Sequence, residues 1–264
     1  MLDRVLLSAS RNNIHECVAL AKERGLGVEI MAFAFPDVLD GDWRQTVNEY
    51  KDLLRDVSGD ITLHGPFLDM VSGSPDPRIN AVCVSRYSHA IRSAAELGAK
   101  QVVFHANFIG SLHNTFYRVG WHQRNVEFWL PLAEYAESHG VYLALENMWE
   151  FDPTIIGNLL ADVNHPYLRA CLDVGHAHLF SDSTYTWDYW LEVMEPWVIE
   201  FHMNNNNGVL DEHHSFDWEH GVLDYGLILP KIRQRFPDVK MVVEMDNVPD
   251  MADSLYYFNR ETAP

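Results

Sequence analysis

The chain is poor in cysteine. Cys17, Cys83 and Cys171 form an odd set without CxxC spacing, which argues against a disulfide framework or a thiolate zinc site and points to a reducing compartment. Positive charge is also scarce: 19 Lys and Arg stand against 38 Asp and Glu. The resulting formal charge of −19 repels polyanions and makes duplex DNA a poor partner. No apolar run approaches the ~18 residues of a membrane span. The first residues carry an acid at Asp3 and too short an apolar stretch for a secretory signal, so a cytoplasmic location is expected. Linkers and low-complexity tracts are missing too; the Asn204–Asn207 run is short enough to be an ordinary loop.

What is present is an ordinary globular composition, 47% hydrophobic and 22% charged over 264 residues, with 14 His. Short apolar runs recur at Arg4–Ser8, Gly27–Phe33, Ile61–Gly65, Gln101–His105, Val141–Asn147, Arg169–Val174, Val198–Met203 and Lys240–Met245. Segments of helical spacing fall between and after them, at Ile14–Arg24, Trp43–Val57, Arg78–Leu97, Gln123–Ser138, Pro153–Asp162, Thr186–Val193, Tyr225–Arg235 and Asp250–Phe258. Runs such as Gln-Val-Val-Phe are continuously apolar, as strands buried on both faces of a parallel sheet must be. Eight β-then-α units in this length predict a single (β/α)8 TIM barrel over residues 1–264; a doubly wound open sheet is the competitor.

The strand ends carry the functional signal. The third to eighth runs bring His64, His105, Glu146, Asp173, His202 and Glu244 to or near their C-terminal ends, which in a barrel converge on one mouth. Burying so many ionisable groups without a partner is prohibitive, and a divalent cation is the simplest partner for mixed carboxylates and imidazoles. Two loops extend the set: Asp173-Val-Gly-His176 after the sixth run, and Asp211-Glu-His213 after the seventh. His178 and His214 are placed at the rim.

In these residues, together with His64-Gly-Pro-Phe and Leu-Glu146-Asn147, the chain resembles the endonuclease IV and xylose isomerase-like TIM barrels, the AP endonuclease family 2 superfamily. For the endonuclease IV branch the resemblance implies three zinc ions. One is held by His64, His105 and Glu146, a second by Glu146, Asp173, His202 and Glu244, and a third by His176, Asp211 and His213. For the sugar isomerase and epimerase branch it implies a single Zn, Mn, Mg or Co ion on the shared four, Glu146, Asp173, His202 and Glu244.

The departures from the family pattern select between branches. DNA incision needs basic loops, yet Asn204–Ser215 contains neither Lys nor Arg, and an Asn-rich run stands where the epimerase branch often has an Arg. Arg78, Arg86, Arg118 and Arg124 remain as candidates for a substrate-anion site. The leading expectation is a metal-dependent sugar or sugar-phosphate isomerase or epimerase acting by proton transfer through an enediolate. Glu146 and Glu244 would move the proton, and His176 would bind a substrate hydroxyl. Trp121, Trp149, Phe67 and Phe108 are candidate apolar walls. The alternatives are a trinuclear zinc phosphoesterase for a small phosphodiester and a non-catalytic sugar- or metal-binding barrel. The expected partner is one small polar substrate, with no duplex DNA and no membrane; assembly into a homo-oligomer is left open.

Overall fold

A computed structural model describes residues 2–259. Eight parallel strands close into one barrel: β1 (Val5–Ala9), β2 (Gly27–Ile30), β3 (Ile61–His64), β4 (Gln101–His105), β5 (Tyr142–Glu146), β6 (Leu168–Asp173), β7 (Val198–Met203) and β8 (Lys240–Val243). Each strand pairs with the next in chain order, and β8 returns to β1 through Val5–Met241 and Leu7–Val243. Apolar residues on both strand faces are fully buried, which explains why the runs read as continuous rather than alternating.

The helices are α1 (Ile14–Arg24), α2 (Pro36–Asp40), α3 (Trp43–Leu54), α4 (Pro77–Leu97), α5 (Thr115–His139), α6 (Thr154–Val163), α7 (Val174–Phe180), α8 (Trp187–Met194), α9 (Tyr225–Arg235), α10 (Val248–Ser254) and α11 (Tyr256–Asn259). Gly98 and Gly140 end α4 and α5 at φ 93° and 65°, left-handed values that glycine adopts without strain, and release the chain into β4 and β5.

Several boundaries differ from the sequence expectation, three of them as follows. The second run stops as a strand at Ile30, because Ala32–Ala34 turns into a short 3-10 helix over the barrel end. Helix α5 starts at Thr115 rather than Gln123, since the Asn114 side chain accepts from Tyr117 N and caps an earlier turn. The segment Asp250–Phe258 divides into α10 and α11.

Most of the apolar core lies between barrel and helices. A separate small cluster, Val103, Ala144 and Cys171 with Ile199, lies inside the barrel. Cys17, Cys83 and Cys171 are all buried free thiols. No described helix is long and apolar enough to cross a membrane.

Candidate metal centre

Strand register brings the acids and imidazoles together. His105 pairs with Glu146 across β4 and β5, and Asp173 pairs with His202 across β6 and β7. At this end of the barrel, donor atoms fall into three groups, each within 4.8 Å: His64, His105 and Glu146; Glu146, Asp173, His202 and Glu244; and His176, Asp211 and His213. All nine residues singled out in the sequence therefore occupy one connected cluster, with Glu146 shared by two groups. His178 and His214 belong to none of them; His214 stacks on Trp218 at 3.9 Å between ring centroids.

Several imidazoles have one nitrogen committed elsewhere. His64 Nδ1 lies 2.9 Å from the Gly65 carbonyl and His176 Nδ1 lies 2.9 Å from the Asn147 carbonyl. A carbonyl only accepts, so these nitrogens donate, and Nε2 of each ring is left to face the cluster. His64 Nε2 and His105 Nε2 each stand 3.2 Å from Glu146 Oε2. Glu146 Oε1 faces the other way, 3.3 Å from His202 Nδ1. His202 Nδ1 is also 3.1 Å from Glu244 Oε2, yet neither atom has a hydrogen-bond partner. Short approach without hydrogen-bond alignment is the arrangement expected of donors that converge on a third body, so the residues present fit a divalent cation.

The electrostatics agree with this fit. Burial opposes charge on His202, but the carboxylates of Glu146, Glu29 and Glu244 outweigh it and hold the imidazole well above its ordinary pKa. Burial likewise opposes charge on His213, while Asp211, Glu244 and Asp173 carry it up to about 9. Burial would raise Glu244, but His202 and His213 draw it down to about 2. Burial prevails at Asp173, pushed up to about 6. So many buried carboxylates create a demand for positive charge that an oxygen- and nitrogen-ligated cation meets.

Local sequence explains how the loops deliver their side chains. Asp173 caps α7 by accepting from His176 N at 2.5 Å, which fixes His176 in the first turn beside Glu146. Asn147 clamps the same strand end: it receives Asp173 N at 2.8 Å and donates to Asp173 O at 3.0 Å. The Asn run is scaffold. Asn204 donates to Asp173 Oδ2, Asn205 holds the carbonyls of Phe216 and Leu223, and Asn207 Oδ1 accepts from Val209 and Leu210 N. The backbone bridge between Asn205 and His214 closes the loop that presents Asp211 and His213.

Other candidates fare differently. Phe67 does line the cluster, its ring 5.0 Å from His64 and 5.3 Å from His105. Phe108 and Trp121 are instead buried against each other in the helix-facing core, and Trp149 is 43% exposed in the loop after β5. The arginines are engaged elsewhere: Arg78 with Asp76, Arg86 with Asp40, Arg118 with Asp152 and Thr154, and Arg124 with the Gly73 carbonyl. Sequence reasoning missed Glu29 and Glu200, fully buried within apolar strands near His202. A lone acid inside Gly-Val-Glu-Ile or Val-Ile-Glu-Phe was the available signal.

Comparison with known proteins follows the same lines. The family described as xylose isomerase-like TIM barrel matches residues 18–261. No curated protein sequence matches. The structure is similar to that of a Thermus thermophilus protein, TTHB071, from crystals soaked with zinc chloride, at 27% identity over 96% of each chain and a TM-score of 0.80. A D-tagatose 3-epimerase-like protein shares the fold at 21% identity, with 97% and 95% of the two chains covered and a TM-score of 0.78. So does a 3-keto-D-glucoside 4-epimerase from E. coli at 16% identity, with 96% and 98% covered and a TM-score of 0.72.

Proposed function

Because the chain belongs to the xylose isomerase-like TIM barrel family, we propose that it is a divalent-metal-dependent sugar isomerase or epimerase. The observation that carries this reading is the quartet Glu146, Asp173, His202 and Glu244, whose donor atoms lie within 4.8 Å of one another in a fully buried position. These four would hold the cation. When bound, it would supply positive charge to adjacent substrate oxygens and so acidify a neighbouring carbon-bound proton. Glu146 Oε1 and Glu244 Oε2 lie 3.3 and 3.1 Å from His202 Nδ1 and so flank one point, where one carboxylate would remove the proton and the other return it. His176 binds a substrate hydroxyl through Nε2, which faces Asp211 rather than a carbonyl. Phe67 excludes water beside His64.

The engagement of Arg78, Arg86, Arg118 and Arg124 elsewhere favours an unphosphorylated sugar or polyol, and the fold likeness to sugar epimerases supports the same class. Turnover of candidate ketoses in deuterated water tests the reading: isomerisation or epimerisation places deuterium on the substrate carbon. Turnover that releases alcohol or phosphate without label overturns it.

One observation favours a second reading, a multi-metal phosphoesterase for a small phosphodiester. The two oxygens of Glu146 are divided between groups, Oε2 toward His64 and His105 and Oε1 toward His202, as in a carboxylate shared by two cations. Metal content near one ion per chain in the active protein supports the isomerase; two or three ions support the phosphoesterase.

A further inference from the structure

Beneath the mouth, His202 points its second nitrogen into the barrel. Nε2 lies 3.1 Å from Glu29 Oε1 and 3.6 Å from Glu200 Oε1, and all three side chains are fully buried. Glu29 is held in turn: Thr62, its register partner on β3, donates its hydroxyl to Glu29 Oε2 at 2.9 Å. Neither oxygen of Glu200 has a hydrogen-bond partner, and Glu29 Oε1 and His202 Nε2 are close without being aligned as a hydrogen bond; of the two acids only Glu29 is tied to another side chain, Thr62, through its second oxygen. The strand that carries it is otherwise apolar, and an acid there costs burial energy that packing does not return.

We infer that Glu29 is a positioning residue that orients His202 from inside the barrel: with Nδ1 drawn to the cation at the mouth, the ring aligns Nε2–H with Glu29 Oε1, which accepts it. A ligating imidazole whose far N–H meets a carboxylate has its tautomer fixed, its ring held and its donor strength raised. Thr62 Oγ1, Glu29 and His202 thus form a line from β3 through β2 to β7, ending at the atom that faces Glu146 and Glu244. The inference rests on the proposed cation at that mouth.

The test compares the full-length protein with Glu29→Leu and Glu29→Gln. Gln keeps an acceptor for Nε2–H and a partner for Thr62 but removes the charge; Leu removes both. In the zinc-loaded wild-type protein, nitrogen NMR of His202 is expected to show a protonated Nε2 and a metal-bound Nδ1, retained in Glu29→Gln and altered in Glu29→Leu. Zinc affinity, measured against a competing chelator, is expected to fall roughly 10- to 100-fold in Glu29→Leu and less in Glu29→Gln. Wild-type zinc uptake with unchanged affinity and an unchanged His202 spectrum in Glu29→Leu overturns the inference while leaving the mouth reading intact. Failure of the wild type to take up any divalent cation overturns both. Cobalt substitution gives a further check: a thiolate charge-transfer band would place the ion on Cys171, Glu200 and His202 inside the barrel and overturn the assignment.

Discussion

Glu146 Oε1 lies 3.3 Å from His202 Nδ1 although β6 separates their strands. Barrel side chains stack in layers drawn from alternate strands, so residues two strands apart meet on the axis. Glu146 thereby touches the His64 and His105 side of the cluster with one oxygen and the His202 side with the other.

Removing that carboxylate is expected to damage two groups at once. Glu146→Gln should lower divalent-metal affinity by more than the roughly 10- to 100-fold typical of outer partners, and abolish turnover. Asp211→Asn should weaken only the group of His176 and His213. Metal analysis and calorimetry of both variants check this; equal metal content in Glu146→Gln and wild type would contradict it.

His213 predicts a pH dependence. Its folded pKa, about 9, stands above the ordinary 6.5, so the stability it contributes is complete below about 6.5 and is lost as pH rises through about 9. Melting temperature of metal-stripped protein is expected to fall across that window, and to fall less in His213→Gln. Zinc that enters the group of His176, Asp211 and His213 at pH 7.5 would displace the His213 proton, which calorimetry in buffers of different ionisation enthalpy will register as proton release.

The barrel and six of the nine clustered residues were legible through local rules, continuous apolar runs for buried parallel strands and polar residues at strand ends for the mouth; His176, Asp211 and His213 were reached from their spacing in the loops and the family resemblance. Glu29 and Glu200 were not, since the strand pattern alone does not say which inward position meets an imidazole from another strand. Phe108 and Trp121 were misplaced for a related reason: an aromatic after a strand can face the mouth or the helices. The Asn114 cap turns the chain into α5 early enough for Trp121 to pack on Phe108 within the helix layer. The Asn run stands where the epimerase branch often has an Arg, but Asn205, Asn206 and Asn207 bond the loop's own backbone and Asn204 holds Asp173.

Glu150 gives the opposite slope from an ordinary acid. Burial pushes it up to about 7, although the backbone N–H groups of Met148 and Phe108 donate to it at 2.7 and 3.2 Å. The unfolded chain releases this proton near 4.5 and the folded protein holds it to about 7, so folding binds a proton in between and stability falls as pH rises through that window. Glu150→Gln should flatten that part of the profile. It should also cost about 1–3 kcal/mol at pH 5, because an amide nitrogen cannot accept from the second N–H. Chemical denaturation at pH 5 and 7 measures both effects.

Gly175 should reveal how firmly Asn204 holds the cluster. It sits in the first turn of α7, where alanine would ordinarily stabilise a helix by about 1 kcal/mol. Here an added Cβ would press into Asn204 Oδ1, and Asn204 is itself pinned, donating to Asp173 Oδ2 at 3.2 Å and accepting from Tyr225 through its carbonyl at 2.5 Å. Gly175→Ala is therefore expected to destabilise by about 1–3 kcal/mol, the range for overpacking, and to weaken metal binding by moving Asp173. Truncating the obstacle should reverse the sign. In an Asn204→Ala background, Gly175→Ala should become neutral or stabilising, so a double-mutant cycle yields a coupling of about 1–3 kcal/mol. Additive single and double variants would mean that Asn204 yields freely and that Asp173 is positioned by Asn147 and the α7 cap alone.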